Sequence, residues 1–327
     1  MRIAVLGMGA WGTALARQMG EGGHTLTVWD HDAANLREVA KTGRNQKYLP
    51  GVVLCGDWRV ESVLDTAWRG SDLVLLAVPS KAFRAVSRVL AEHEGTVVTV
   101  TKGIEYDTGL TMSGVLLETA PRARAVALSG PTLAMEVARG VPTAAVAASR
   151  DPEGARQVQG LLHRPAFRVY TSRDLLGVEL GGALKNVMAI AAGVCDGLGF
   201  GDNSKAALVT RAVVEICRLG VACGAQAGTF SGLSGLGDLV VTCFSRLSRN
   251  RMLGERLGRG EALDQILGQS VSVAEGYPTA RAAWRLAQRL GVAAPIIEQV
   301  HAMLYEGKNV ADAVRDVTHR DHKAEDE

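Results

Sequence analysis

The sequence is poor in the features that staple small secreted proteins together. Only five cysteines occur in 327 residues: Cys55, Cys195, Cys217, Cys223 and Cys243. Their number is odd, they are scattered, and no C-x-x-C pair is formed, which excludes a disulfide framework and reads as reduced thiols of a cytosolic protein. An excess of one charge is also missing, since 36 basic against 34 acidic side chains leave a formal net charge of +2. Apart from a short polar tail, Asp321 to Glu327, no block of like charge is present, so nothing asks for nucleic acid or an anionic membrane. No uninterrupted apolar run approaches the roughly 20 residues of a membrane-spanning helix, and no basic n-region with an apolar h-region opens the chain. The cytoplasm is the expected compartment. Seven histidines show no metal-ligand cluster, and His319 and His322 belong to the charged tail; no metal is expected.

What is present is apolar material, 47% hydrophobic residues against 21% charged ones. The length exceeds what one core usually organises, so two domains are expected. Short β-branched runs recur at Ile3 to Leu6, Leu26 to Trp29, Leu73 to Val78, Val97 to Val100, Val126 to Leu128 and Ala144 to Ala147. Helix-like spacing separates most of them, the pattern of a parallel sheet buried on both faces. After about Tyr170 the runs stop, and helices are expected at 179–195, 204–222, 237–244, 249–258, 277–290 and 295–306. The fold class is therefore α/β. A Rossmann-type parallel-sheet domain over residues 1–178 precedes an all-helical, substrate-binding domain over 179–327, with no internal repeat.

RIAVLGMGAWG opens the chain as a strand followed by Gly7, Gly9 and Gly12 in G-x-G-x-x-G spacing and a helical run. That pattern serves a tight turn, close approach of backbone to a pyrophosphate, and close packing of helix on strand. A second strand, HTLTVWD, ends in Asp30, about 20 residues on, where a carboxylate can take ribose hydroxyls. In the second half, ELGGALKNVMAIAAG places Lys185 and Asn186 inside a helix of small and apolar residues. On a helix Lys185 shares its face with Gly181, Gly182, Met188, Ala189 and Ala192, where desolvation lowers an ammonium pKa toward working pH. Such a lysine can donate a proton when a ketone is reduced and accept one in the reverse direction. The bland alternative is a lysine snorkelling at a helix surface.

Seven stretches resemble, in the same order, the motifs of bacterial NAD(P)-dependent glycerol-3-phosphate dehydrogenase. They are GMGAWGTALA, TKGIE from Thr101, LSGPTLAMEV from Leu128, ELGGALKNVMAIAAGVCDGLGFGDNSKAALVTR from Glu179, GLGDLVVTC from Gly235, SRN from Ser248 and AEGYPTA from Ala274. The resemblance implies reversible hydride transfer between NAD or NADP and the dihydroxyacetone phosphate / sn-glycerol 3-phosphate pair, feeding phospholipid synthesis. It implies Lys185 as the catalytic acid-base and Lys102 between cofactor and substrate. Gly130, Thr132, Asp238, Ser248, Arg249 and Asn250 would bind substrate. Ala10, Trp11, His31, Ala134, Val273 and Glu275 would contact the cofactor, with Arg249 near it. Ala10 and Thr132 stand where the family usually has a hydroxyl and a serine. A homodimer is left open.

Read from the residues, Asp238 could cap a helix or orient Lys185, and Arg249 with the Asn250 amide offers directional donors for a phosphate. In WDHD, Asp30 suits the ribose of NAD and opposes the 2′-phosphate of NADP, with His31 and Arg37 as counterweights, or it merely caps the next helix. Two other functions remain in view: a hydroxy-acid or ketopantoate dehydrogenase of the same design, and a nucleotide-sensing regulator without catalysis.

Overall fold

The computed structural model describes residues 1–269 and 274–319. Eight strands form one sheet: β1 (Arg2–Leu6), β2 (Thr25–Trp29), β3 (Trp58–Val60), β4 (Leu73–Leu76), β5 (Thr96–Thr99), β6 (Arg124–Ser129), β7 (Thr143–Ala148) and β8 (Phe167–Ser172). Their spatial order is β3-β2-β1-β4-β5-β6-β7-β8, which reverses direction of travel between β1 and β4. Crossover helices lie on its two faces: α1 (Ala10–Glu21), α2 (Ala33–Thr42), α3 (Leu64–Ala67), α4 (Ser80–Ser87), α5 (Met112–Thr119), α6 (Ala134–Ala138) and α7 (Pro152–Leu162). Ile3, Val5, Leu26, Val28, Leu73 and Leu75 face one apolar layer, and Ala4, Leu6, Val74, Leu76 and Val97 face the other. Burial on both faces is why these strands read as continuous apolar runs.

Two features depart from the expected parallel sheet. β7 runs antiparallel to β6, whereas the remaining pairings are parallel. The chain therefore returns at the carboxyl edge of β6, and the Gly130–Thr132 turn stays at that edge instead of leaving over a face. β3 and β8, which no apolar run announces, close the two edges; β8 buries Phe167 and Val169 and exposes Arg168 and Tyr170, the alternation of a strand with one wet face.

From α8 (Leu175–Gly197) the chain is helical: α9 (Asp202–Ala222), α10 (Ala227–Phe230), α11 (Asp238–Phe244), α12 (Arg249–Gly258), α13 (Leu263–Gly268), α14 (Gly276–Leu290), α15 (Pro295–Tyr305) and α16 (Val310–Thr318). Asp174 caps α8 by accepting the Gly177 N–H at 2.9 Å, so the expected division near residue 178 falls inside the first turn of this helix. α8 is the axis of the second core: Leu184, Val187, Met188 and Ile190 are buried among side chains of the helices packed around it. It is long and apolar enough to cross a membrane by composition, but 89% of its apolar window is buried inside the protein.

Candidate active site

The fingerprint glycines fall into two kinds. Gly7 has φ +106°, and a Cβ there would stand 2.6 Å from the Ala77 carbonyl oxygen at the end of β4. A Cβ on Gly12 would stand 1.9 Å from the carbonyl oxygen of Gly7, so helix and strand pack too closely for any side chain. Gly9 differs: it is the N-cap of α1, makes no side-chain cap, and a Cβ there would meet nothing within 4 Å. Open space therefore lies before a helix N-terminus whose first N–H groups have no intrahelical partners, the arrangement that receives a pyrophosphate. These residues fit a dinucleotide.

Asp30 lies just beyond β2 at the acid position of the fingerprint, but its side chain is only 5% exposed. Its oxygens accept the main-chain N–H of Met8 at 2.6 Å and of Asp32 at 2.8 Å, so the carboxylate braces the glycine turn. The cap of α2 is Asp32, which accepts the Asn35 N–H at 3.0 Å, and not Asp30. His31 is 80% exposed, with Nδ1 3.0 Å from Asp30. Ala10 and Trp11, on the first turn of α1, and Ala134, at the start of α6, pack against one buried cluster of Ala14, Leu49, Val52 and Ala138. The Trp11 ring meets Phe167 edge-on at 6.4 Å between centroids.

Opposite this turn, α8 and the turn after β5 bring two lysines onto one carboxylate, that of Asp238 on α11. Lys185 is 7% exposed. Its Nζ lies 3.0 Å from Asp238 Oδ1 and donates to Thr242 Oγ1 at 2.6 Å. Lys102, in the turn after β5, donates to Asp238 Oδ2 at 2.7 Å and to the Gly130 carbonyl at 2.9 Å, with Thr132 Oγ1 at 3.4 Å. Asp238 is the first residue of α11, where Gly237 is the N-cap, and its carboxylate serves the ammonium groups rather than a cap. Desolvation pushes the Lys185 ammonium down to about 8; Asp238 opposes that fall and Lys102 reinforces it. Thr242 escaped the sequence reading, although it stands one helical turn after Asp238 and so shares its face.

The SRN residues arrive on α12 through a glycine seam. A Cβ on Gly193 of α8 would stand 1.9 Å from the Arg251 carbonyl oxygen, and one on Gly254 of α12 the same 1.9 Å from that of Ile190. The backbones touch, which carries the start of α12 up to the site. Ser248 is its N-cap, accepting the Arg251 N–H at 3.2 Å. Arg249 opens onto solvent by its surface yet is packed densely enough that desolvation lowers its guanidinium pKa, against the pull of Glu275; an arginine remains a cation regardless. The Asn250 side chain is already committed: Nδ2 donates to Asn186 Oδ1 at 2.8 Å and Oδ1 accepts the Gly276 N–H at 2.9 Å. Asn186 in turn donates to the Lys102 carbonyl at 2.9 Å. The expected donor from the Asn250 side chain is thus spent on alignment, and the first α12 main-chain N–H groups, beside Arg249, have no intrahelical partner.

Glu275, the N-cap residue of α14, reaches back to the sheet domain, where Ser80 donates its N–H at 3.1 Å and its hydroxyl at 2.5 Å. Burial raises the Glu275 pKa, opposed by these bonds and by Arg249. Val273 lies outside the described residues.

A fingerprint turn at the reversal point of a mostly parallel sheet, facing a helical domain that presents a desolvated lysine, defines a two-domain nicotinamide-dependent oxidoreductase. Family models described as the N-terminus and the C-terminus of NAD-dependent glycerol-3-phosphate dehydrogenase match residues 2–155 and 174–315. The chain belongs to that family. It is 48% identical over 330 residues to the Geobacter metallireducens protein named glycerol-3-phosphate dehydrogenase [NAD(P)+], covering 99% of this chain and 98% of that one. It is likewise 48% identical over 331 residues to the protein of the same name from Anaeromyxobacter dehalogenans, covering 99% and 100%. The crystal structure of glycerol-3-phosphate dehydrogenase from Coxiella burnetii superimposes with a TM-score of 0.94 at 34% identity, covering 98% of this chain and 99% of that one.

Proposed function

We propose that the protein interconverts dihydroxyacetone phosphate and sn-glycerol 3-phosphate with NADH or NADPH, in the cytoplasm, for phospholipid synthesis. The observation that carries this reading is the shared carboxylate: Asp238 holds both Lys185 and Lys102 beside the start of α12. The nicotinamide supplies or takes the hydride. Lys185, desolvated and held by Thr242 and Asp238, gives a proton to the ketone oxygen as negative charge develops there, and takes it back in oxidation. Lys102 adds a second cation on the same side. Arg249 with the N-terminus of α12 receives the phosphate, and the Gly130–Thr132 turn bounds the substrate. An arginine could equally hold the carboxylate of a hydroxy acid or ketopantoate, so it is the family match over both halves of the chain that weighs against those substrates, while a regulator has no use for an acid-base lysine. Free cysteines suit a reducing compartment. A homodimer would cover Leu236, Val240 and Phe244, exposed at one-turn spacing along α11 and the turn before it. The test is loss of NADH or NADPH absorbance with dihydroxyacetone phosphate and with ketopantoate; turnover of ketopantoate alone overturns the reading.

The pH dependence carries its own sign. Reduction needs Lys185 protonated and oxidation needs it neutral, and the group titrates at about 8. Accordingly kcat/KM for ketone reduction falls as pH rises through about 8, while kcat/KM for alcohol oxidation rises over the same interval. Profiles that move together in both directions would assign the titration to another group.

For the coenzyme we propose use of NADH at least as well as NADPH, from the Asp30 carboxylate held in place after β2 by the Met8 and Asp32 N–H groups. Asp30→Gly loosens the glycine turn and lowers kcat/KM with both coenzymes, but only the 2′-phosphate also gains from losing a like charge. The ratio of kcat/KM values shifts toward NADPH by about tenfold. A wild type that strongly prefers NADPH, with no shift in the variant, refutes it.

A further inference from the structure

Most bonds described above tie the helical domain to the substrate side of the cleft. One ties it to the coenzyme side. Ser80 is the first residue of α4, four positions beyond the end of β4, and β4 is the strand beside which the sheet order reverses. Dinucleotides lie outside the carboxyl ends of strands at such a point. Both donors of Ser80, its N–H at 3.1 Å and its hydroxyl at 2.5 Å, are taken by the two oxygens of Glu275 from 195 residues further along the chain. The Lys102 turn is packed onto the same pair: a Cβ on Gly103 would stand 2.8 Å from Ser80 Cβ and 3.0 Å from Glu275 Oε2. Thr101 Oγ1 also donates to the Val78 carbonyl at 2.6 Å. Among the described residues Ser80 alone donates hydrogen bonds to the Glu275 carboxylate, so its place depends on Ser80.

We infer that Ser80 is a positioning residue for the coenzyme: by clamping Glu275 across the domain junction it sets the width of the crevice in which the nicotinamide half is held. The inference rests on the reading that Glu275 faces the coenzyme. Without the hydroxyl, a partly buried carboxylate keeps one donor of two, and binding must then order the start of α14, a cost that appears as weaker coenzyme affinity.

The experiment measures NADH dissociation constants of the full-length protein by fluorescence, without ketone, for the wild type, Ser80→Ala, Glu275→Gln and the double variant. Ser80→Ala is expected to weaken NADH about tenfold, the worth of one bond to a charged group, and to raise the coenzyme KM with kcat little changed. In the Glu275→Gln background the same change has little further effect, which is the coupling expected of residues in contact. A wild-type dissociation constant in Ser80→Ala, or an equal loss in both backgrounds, overturns the inference. A wild type that binds NADH but leaves dihydroxyacetone phosphate unreduced overturns the proposed reaction and not this clamp.

Discussion

Lys185→Ala is expected to lower turnover a hundredfold or more, on the order of what general acid catalysis contributes, while NADH still binds. On the proposed reading the nicotinamide coenzyme is held by the glycine turn and α1, on the other side of the cleft from Lys185. The substitution leaves Asp238 paired with Lys102 at 2.7 Å, so no carboxylate is stranded and the fold is retained. Lys185→Arg separates the charge from the proton. A guanidinium preserves the positive field but holds its proton too tightly to give it up, so this variant stays slow. Steady-state rates with dihydroxyacetone phosphate, beside NADH dissociation constants, check both. Turnover within a few-fold of wild type in Lys185→Ala, or recovery in Lys185→Arg, would remove Lys185 from the acid-base role.

The glycine turn and the lysine helix were legible in the sequence because local chemistry dictates them. Gly12 is set by the Gly7 carbonyl of its own strand–turn–helix unit and Gly7 by a positive φ in that turn, and a lysine amid alanines and glycines is anomalous wherever it folds. α12 matched its expected limits, 249–258, because Ser248 caps it. What could not be read depends on elements meeting. Nothing in the run around Thr143 says that β7 turns back along β6, and that reversal is what keeps Gly130 within 2.9 Å of the Lys102 ammonium. Thr242 looks like a strand or helix filler until Lys185 arrives from α8. Asn250 looked like a free amide until Asn186 and Gly276 claimed both of its ends. Asp30 was placed correctly along the chain, but its bond to Met8 is a tertiary fact, and it changes the residue from a bare acceptor into a brace.

Arg249→Leu is expected to cut kcat/KM for dihydroxyacetone phosphate by a hundredfold or more, the scale of losing a charge-assisted pair in a desolvated site, and to leave unphosphorylated dihydroxyacetone nearly unaffected. Arg249 stands at the first position of α12, beside N–H groups that the helix itself leaves unpaired, so two kinds of donor lie side by side where the proposed reading puts the phosphate. Leucine keeps much of the apolar stem and removes only the charge and its fork. Glu275 then loses the cation that helps keep it ionised, and its carboxyl pKa rises further. A loss of NADH affinity would report that secondary effect, so the NADH dissociation constant must be measured beside the two ketones. Arg249→Lys returns the charge without the fork and recovers only part of the activity, because a point charge cannot bond a phosphate bidentately. The deciding quantity is the ratio of kcat/KM for the phosphorylated and unphosphorylated ketones. It collapses in Arg249→Leu if Arg249 holds the phosphate; equal losses for the two ketones would move that role to another cation and leave Arg249 as the partner of Glu275 alone.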